Sequence, residues 1–140
     1  MEPAAPVKVY VAGPMSGIPG FNIPAFDALA RELRGRGLEV VSPAEMDGPV
    51  TRKHLLASRM GDHGDLPPGE TWGFYLARDV QLLADDGIQG VVVLPDWDRS
   101  RGARLEVFLA SQILDLPILA LTGSGLVELS YTTIWEGVRR

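Results

Sequence analysis

The sequence predicts an α/β protein with a mainly parallel sheet. Short β-rich apolar segments alternate with longer segments whose apolar residues recur at helical spacing. Strands that alternate with helices favour a parallel sheet covered by helices on both faces. The chain has 140 residues, 46% of them hydrophobic, and contains neither an internal repeat nor a linker-like tract. We therefore expect a single domain over residues 1–140, large enough to bury a core.

The first part of the chain is predicted to hold two strands and a helix. Residues 7–12 alternate and are β-rich, which is typical of a first strand, and residues 13–20 form a loop dense in Gly and Pro. Asn22 is placed to cap a helix that ends near residues 35–37. Residues 38–41 then predict a short second strand.

The remaining elements follow in the same alternating order. Residues 43–69 are irregular and contain a possible short helix over 51–60. The later elements are a helix over 72–84 capped by Thr71, a buried strand over 88–94, a helix over 103–114 after Gly102, a strand over 116–121 and a tail over 122–140. The tail is compatible with a strand or loop and a final short helix. In open sheets of this kind a ligand binds beyond the carboxyl ends of the strands, where the strand order reverses. We therefore expect the loops 13–20 and 95–101 to share one crevice.

Composition excludes several classes of function. The absence of cysteine excludes disulfides, thiolate metal sites and a cysteine nucleophile. The net charge of −5 argues against nucleic acid as a partner. No apolar run approaches the roughly 18 residues of a membrane span, and residues 1–6 lack the basic and apolar parts of a leader, so we expect no membrane association and a cytoplasmic location. Arg99, Arg101 and Arg104 are a local basic cluster that suits one small anion.

Glu106 is the strongest candidate for chemistry. Gly102 lies between a buried strand and a helix, where it lets a ligand approach the backbone, and the new helix offers free N–H groups to an anion. We expect Glu106 in about the first turn, where the helix dipole favours an ionised carboxylate. Such a carboxylate suits covalent chemistry at a sugar carbon. The alternative is a glutamate that merely stabilises its own helix.

Asp79 is a second candidate. It lies on an otherwise apolar helical stripe with Trp72, Leu76 and Leu83. A carboxylate buried in a pocket suits general acid catalysis, because burial raises its pKa. Alternatively, Asp79 forms a surface ion pair with its neighbour Arg78.

Other polar and aromatic residues have both structural and functional interpretations. The loop 13–20 is neither a dinucleotide fingerprint nor a Walker loop; its amides either face a phosphate or sugar, or simply form a tight turn. Phe21 and Trp97 either stack on a nucleobase or cover a core edge. The cluster that most resembles a set of metal ligands comprises His54, Asp62, His63 and Asp65. Its spacing matches no known metal site, so we predict neither a metal nor a cofactor.

Three segments together resemble the nucleoside 2-deoxyribosyltransferase superfamily, in particular a branch common in phage and bacterial genomes. They are residues 10–17, 78–79 and 100–106, and the resemblance extends over most of residues 7–121. It implies a flavodoxin-like, Rossmann-like three-layer sandwich that cleaves N-glycosidic bonds. It also implies that Glu106 attacks the anomeric carbon, that Asp79 helps the base leave and orients the sugar, and that Tyr10, otherwise read as a core tyrosine, positions Glu106. The implied substrate-binding residues are Gly13, Pro14, Met15, Ser16, Phe21, Asp98, Ser100, Arg101 and Gly102.

One position distinguishes two branches of that superfamily. The transferases carry an aspartate six residues before the nucleophile, and this aspartate faces the 5′-hydroxyl of the sugar. The nucleoside 5′-monophosphate hydrolases carry a serine at the same position, and this serine holds the phosphate. This chain has Ser100 there, flanked by Arg99 and Arg101, which favours a phosphate. Arg104 occupies a place where the hydrolases often have a small residue, and it either crowds the sugar or reaches the phosphate.

The sequence therefore predicts an N-glycosidase that converts a nucleoside 5′-monophosphate into free base and (deoxy)ribose 5-phosphate. The alternatives are a deoxyribosyltransferase that exchanges bases and a non-catalytic nucleotide-binding or sensing module. The expected partner is a small-molecule nucleotide or nucleoside. A homodimer or higher homo-oligomer is also expected, because the resembling proteins assemble and the tail carries apolar Tyr131, Ile134 and Trp135.

Overall fold

The computed structural model describes residues 5–140, which fold around a five-stranded, mainly parallel sheet. The strands are β1 (Lys8–Ala12), β2 (Glu39–Val41), β3 (Gly90–Val93), β4 (Ile118–Thr122) and β5 (Gly125–Glu128). Their order is β2-β1-β3-β4-β5, and only β5 runs antiparallel to its neighbour. The predicted α/β class is confirmed. Most of the segment 1–6, on which the argument against a leader rests, lies outside the described residues.

In the part of the chain that the structure describes, five α-helices connect or follow the strands. They are α1 (Ile23–Gly35), α2 (Pro49–Leu56), α3 (Trp72–Leu83), α4 (Arg101–Phe108) and α5 (Tyr131–Val138). A π-helical turn, Leu109–Ile113, continues α4, so the predicted end near residue 114 is correct. Thr71 caps α3 as predicted, because its Oγ1 accepts a hydrogen bond from the amide of Phe74 at 3.1 Å. None of the helices within residues 5–140 is both long and apolar enough to cross a bilayer.

The predicted capping role of Asn22 is wrong in its mechanism. Asn22 precedes α1, but its side chain makes no capping bond; its Nδ2 donates instead to the carbonyl of Pro14 at 2.8 Å. Gly20, Phe21 and Asn22 all have φ between 53° and 62°. This left-handed run is costly for Phe21, and the hydrogen bond from Asn22 helps to hold it.

The two faces of the sheet carry separate cores. Val9 and Val11 of β1 pack with α1 and Leu55 of α2 on one face. Tyr10 and Ala12 alternate with them and pack with buried residues of α3, α4 and α5 on the other face. Helices therefore cover both faces, as a three-layer α/β arrangement requires.

The topology places a crevice between β1 and β3. The chain leaves β1 toward β2 on one side of the sheet and leaves β3 toward β4 on the other, so the strand order reverses between these two neighbours. The loops after β1 and β3 separate there, which leaves room for a ligand. The close approach of the first loop to β3 requires Gly13, because a Cβ there would lie 2.7 Å from the Leu94 side chain.

Candidate active site

A cavity of about 480 Å³ opens at the predicted crevice. Its walls come from the loops after β1 and β3, from α3 and α4, and from the segment 43–69; the lining residues are Gly13, Met15, Ser16, Phe21, Leu55, His63, Leu66, Trp72, Tyr75, Leu76, Asp79, Arg99, Ser100, Arg101, Gly102, Ala103 and Glu106. The prediction that the two loops share one crevice is confirmed. Nine of the twelve predicted site residues line this cavity; Tyr10, Pro14 and Asp98 do not.

Glu106 lies in the second turn of α4, not in the first. The helix begins at Arg101, one residue before Gly102, and its first turn contains no acidic residue. The expected stabilisation of the carboxylate by the helix dipole is therefore wrong, because that effect fades beyond the first turn. Burial dominates instead: Glu106 is 6% exposed, and desolvation raises the pKa of its carboxyl to about 8, with the Asp79 charge adding to the increase.

Tyr10 lies near Glu106, in the middle of β1. Its side chain is fully buried, and burial raises the pKa of its phenol well above the usual value, with the Glu106 charge adding to the increase. The Tyr10 hydroxyl is near enough to lower the pKa of the Glu106 carboxyl. Yet within residues 5–140 neither Tyr10 Oη nor Glu106 Oε2 has a partner at normal hydrogen-bond geometry. The two groups are therefore near neighbours that affect each other's pKa without a hydrogen bond of normal geometry between these atoms.

Asp79 lies on the buried side of α3 and faces the same cavity. It is 8% exposed, and burial raises the pKa of its carboxyl to about 6, although the neighbouring Arg78 opposes the increase. Arg78 Nε lies 3.1 Å from Asp79 Oδ1. The alternative of an ion pair is thus correct in its partners, but the pair is largely buried and does not exclude a role in the cavity. Asp79 is close enough to Glu106 for its charge to raise the pKa of the Glu106 carboxyl.

The start of α4 forms one side of the cavity mouth. Ser100 is the N-cap, and its Oγ accepts a hydrogen bond from the amide of Ala103 at 3.2 Å. Its hydroxyl proton remains available to an anion, as do the amides of Arg101 and Gly102, which the helix leaves without an acceptor. A Cβ at Gly102 would be 3.9 Å from Trp72 and Leu76, an ordinary packing distance, so Gly102 lies where α4 faces α3.

The loop after β1 forms another part of the cavity wall. Gly13, Met15 and Ser16 line the cavity, and the left-handed backbone at Phe21 brings its ring to the same wall. Pro14 is buried, and its carbonyl accepts the hydrogen bond from Asn22. Its contribution is therefore to the shape of the loop.

Three residues that the sequence raised as possible substrate contacts, Asp98, Trp97 and Arg104, do not line the cavity. Asp98 is corrected as a substrate-binding residue: it lines a separate cavity, with its Oδ2 3.5 Å from Arg140 Nε. Trp97 covers the core. Its ring packs so closely against Gly137 that a Cβ on Gly137 would lie 2.3 Å from a ring atom. Arg104 donates from its Nη1 to the carbonyl of Arg140, so it neither crowds the cavity nor reaches its mouth.

The segment 43–69 closes the third side of the cavity, which the sequence did not indicate. It supplies Leu55, His63 and Leu66 to the wall. His63 Nε2 lies 2.8 Å from Ser16 Oγ, and its ring stacks on Trp72 with centroids 5.6 Å apart.

Two residues of the cluster considered for metal binding, His54 and Asp65, make hydrogen bonds within the segment 43–69. His54 Nε2 bonds the carbonyl of Asp65, and Asp65 Oδ2 accepts from Ser58. Within residues 5–140 no three His, Asp or Glu side chains are grouped so that they could hold a metal ion.

Comparison with known proteins gives a family but no activity. No curated protein and no solved structure matches the chain. One family model, described as a domain of unknown function (DUF4406), matches residues 7–119, the range that contains every lining residue of the cavity. The match covers well over half of the chain, which therefore belongs to this DUF4406 family.

Proposed function

We propose that this chain hydrolyses the N-glycosidic bond of a nucleoside 5′-monophosphate. A Glu106 oxygen attacks the anomeric carbon, the bond to the base breaks, and the departing base takes a proton from Asp79. Water then attacks the glycosyl ester, gives its proton to Asp79 and releases (deoxy)ribose 5-phosphate with retained configuration. The resemblance to the nucleoside 2-deoxyribosyltransferase superfamily supports the same assignment.

The observation that carries the proposal is the distribution of groups in one cavity. Two buried carboxylates, Asp79 and Glu106, lie beside a wall rich in apolar and aromatic side chains. Ser100, Arg101 and the start of α4 also line the cavity, and together they offer a hydroxyl, a guanidinium and free amides that suit an anion. A nucleotide has the matching order of parts: a flat base, a sugar carbon that accepts a nucleophile, and a phosphate.

Two other functions use the same cavity. A deoxyribosyltransferase would replace water by a second base, and a sensing module would bind the nucleotide without cleaving it. Chromatographic measurement of base release from matched nucleotides and nucleosides, with and without an added acceptor base, separates the three. If the protein is a hydrolase, it should release free base from nucleotides without an added acceptor base. Release or exchange that requires an acceptor base would favour the transferase, and binding without release would favour the sensor.

The pH dependence tests the roles of the two carboxyls. The reactive form needs Glu106 ionised and Asp79 protonated, yet Asp79, with a pKa of about 6, is the stronger acid, because Glu106 has a pKa of about 8. The reactive form is therefore about one hundredth of the singly protonated enzyme. We expect kcat/KM to rise through about pH 6 and to fall above about pH 8.

Asp79→Asn removes the proton donor and should change the shape of that profile. The rate of base release should fall by roughly 10²–10⁴-fold, the usual contribution of a general acid. The remaining kcat/KM should rise with pH as Glu106 ionises and then stay level, without the alkaline fall. A wild-type profile that also stays level above pH 8 would contradict a proton-donor role for Asp79.

A further inference from the structure

Arg78 is held in one position by four contacts. Its Nε lies 3.1 Å from Asp79 Oδ1, its Nη1 lies 2.8 Å from Asp47 Oδ1, and its Nη2 donates to the carbonyl of Pro43 at 3.1 Å. Its guanidinium carbon is 5.0 Å from the centre of the Tyr75 ring. The side chain is 21% exposed, and those of Asp47 and Asp79 are each 11% exposed. So many contacts leave the guanidinium little freedom to turn.

One oxygen of Asp79 is engaged within the protein. Oδ1 accepts from Arg78, and Asp79 lines the cavity, so we infer that Oδ2 is the oxygen left for a ligand. Asp47 and Pro43 belong to the segment that closes the cavity, so the contacts of Arg78 link that wall to the carboxyl group on α3.

We propose that Asp47 and Arg78 are a positioning pair that fixes the orientation of Asp79 and couples it to the closing segment 43–69. The pair touches no reacting atom. Its effect on the reaction rests on the proposed function, in which Asp79 must turn one oxygen toward the departing base and then toward water. A free carboxyl would have to be ordered at each step, and a misplacement of about 1 Å can cost about 10²-fold in rate.

The pair also sets the charge around Asp79. Four charged or titratable groups act on it or with it: Arg78 on its own helix, Asp47 from the segment 43–69, Glu106 from α4 and Tyr10 from β1. Arg78 lowers the pKa of Asp79 and Asp47 raises it. Removal of Arg78 should therefore raise that pKa, and removal of the Asp47 charge should lower it.

The experiment is a carbon-13 NMR titration of the Asp79 carboxyl in the ligand-free protein, with its signal assigned by its loss in Asp79→Asn. Arg78→Gln should raise the pKa of Asp79. Asp47→Asn should lower it, because the amide oxygen still accepts from Arg78 while the like charge is gone. Arg34→Gln is the matched control: it breaks an ion pair with Glu45 outside the cavity and should leave the pKa unchanged.

Folding and activity are tested separately. If Arg78→Gln fails to fold because it leaves two buried carboxylates unpaired, the double variant with Asp47→Asn removes one of those charges, and the pKa of Asp79 should still lie above the wild-type value. On a cleaved nucleotide, Arg78→Gln should lower kcat at least tenfold with a smaller change in KM, and Arg78→Lys should restore only part of it.

The outcomes distinguish the pair from the function. The positioning pair would be overturned if neither single variant shifted the pKa of Asp79, or if both shifted it in the same direction. If no nucleotide is cleaved by the wild-type protein, the proposed hydrolysis fails, while opposite shifts in the titration would still support the pair.

Discussion

Glu106→Gln should abolish base release while the protein folds normally. The amide cannot attack the anomeric carbon, so we expect a loss on the order of 10³-fold or more, as for groups that act covalently. Initial rates on a nucleoside monophosphate measure the effect. Glu32→Gln is the matched control, because Glu32 is an exposed partner of Arg36 outside the cavity and its replacement should leave the rate unchanged. Native activity in Glu106→Gln would exclude the proposed nucleophile.

The same variant should be more stable than the wild type at neutral and alkaline pH. The pKa of Glu106 rises from an ordinary 4.5 to about 8 on folding, so the wild type loses stability as the pH increases from about 4.5 to about 8. Glutamine has no such titration, and its advantage at pH 7 should be about 3 kcal/mol. Urea unfolding at pH 5 and pH 8 measures it. An advantage that does not grow between these pH values would contradict the buried, protonated carboxyl.

Ser100→Asp should remove the preference for a phosphorylated substrate. Charged hydrogen bonds contribute about 1.5–3 kcal/mol each, so the wild type should prefer a nucleotide to its nucleoside by roughly 10²-fold or more in kcat/KM. Aspartate still caps a helix well, so α4 should remain intact, while its charge repels the phosphate. Cleavage of the nucleoside should survive. Steady-state kinetics on a deoxynucleotide and its dephosphorylated form supply the measurement.

Ser130→Asp is the control for that substitution. Ser130 caps α5 in the same way, with its Oγ accepting from the amide of Thr133 at 3.2 Å, but it does not line the cavity. It should leave the nucleotide preference unchanged. Equal efficiency of the wild type on nucleotide and nucleoside, together with base exchange when an acceptor is added, would replace the hydrolase by the transferase.

Local pattern was sufficient to predict most of the fold. Alternating apolar residues identified β1, and Thr71 marked the start of α3, because both signals lie within a few residues of the element they define. The prediction that the Asn22 side chain caps α1 was wrong, since the left-handed backbone before α1 turns that side chain toward Pro14. The start of α4 was placed after Gly102, but the Ser100 cap sets it at Arg101.

The sequence predicted the site residues that local pattern marks. It did not predict those that depend on contacts between residues far apart in the chain. Glu106 and Asp79 stood out as carboxylates next to apolar residues, and both line the cavity. Asp47 carried no signal, because its contact with Arg78 joins residues 31 positions apart. Asp98 was misplaced, since its short helical turn directs it toward Arg140.

Mass spectrometry of the protein during turnover tests the central claim, covalent catalysis by Glu106, most directly. A nucleotide with fluorine at the 2′ carbon should slow release of the glycosyl group from the enzyme, because an electron-withdrawing substituent disfavours the oxocarbenium-like transition state. We expect base to be released with the addition of one sugar 5-phosphate group to the peptide that contains Glu106, and no addition in Glu106→Gln. Base release by the wild type with the sugar attached to another residue, or with an unmodified protein and inverted sugar configuration, would contradict this account.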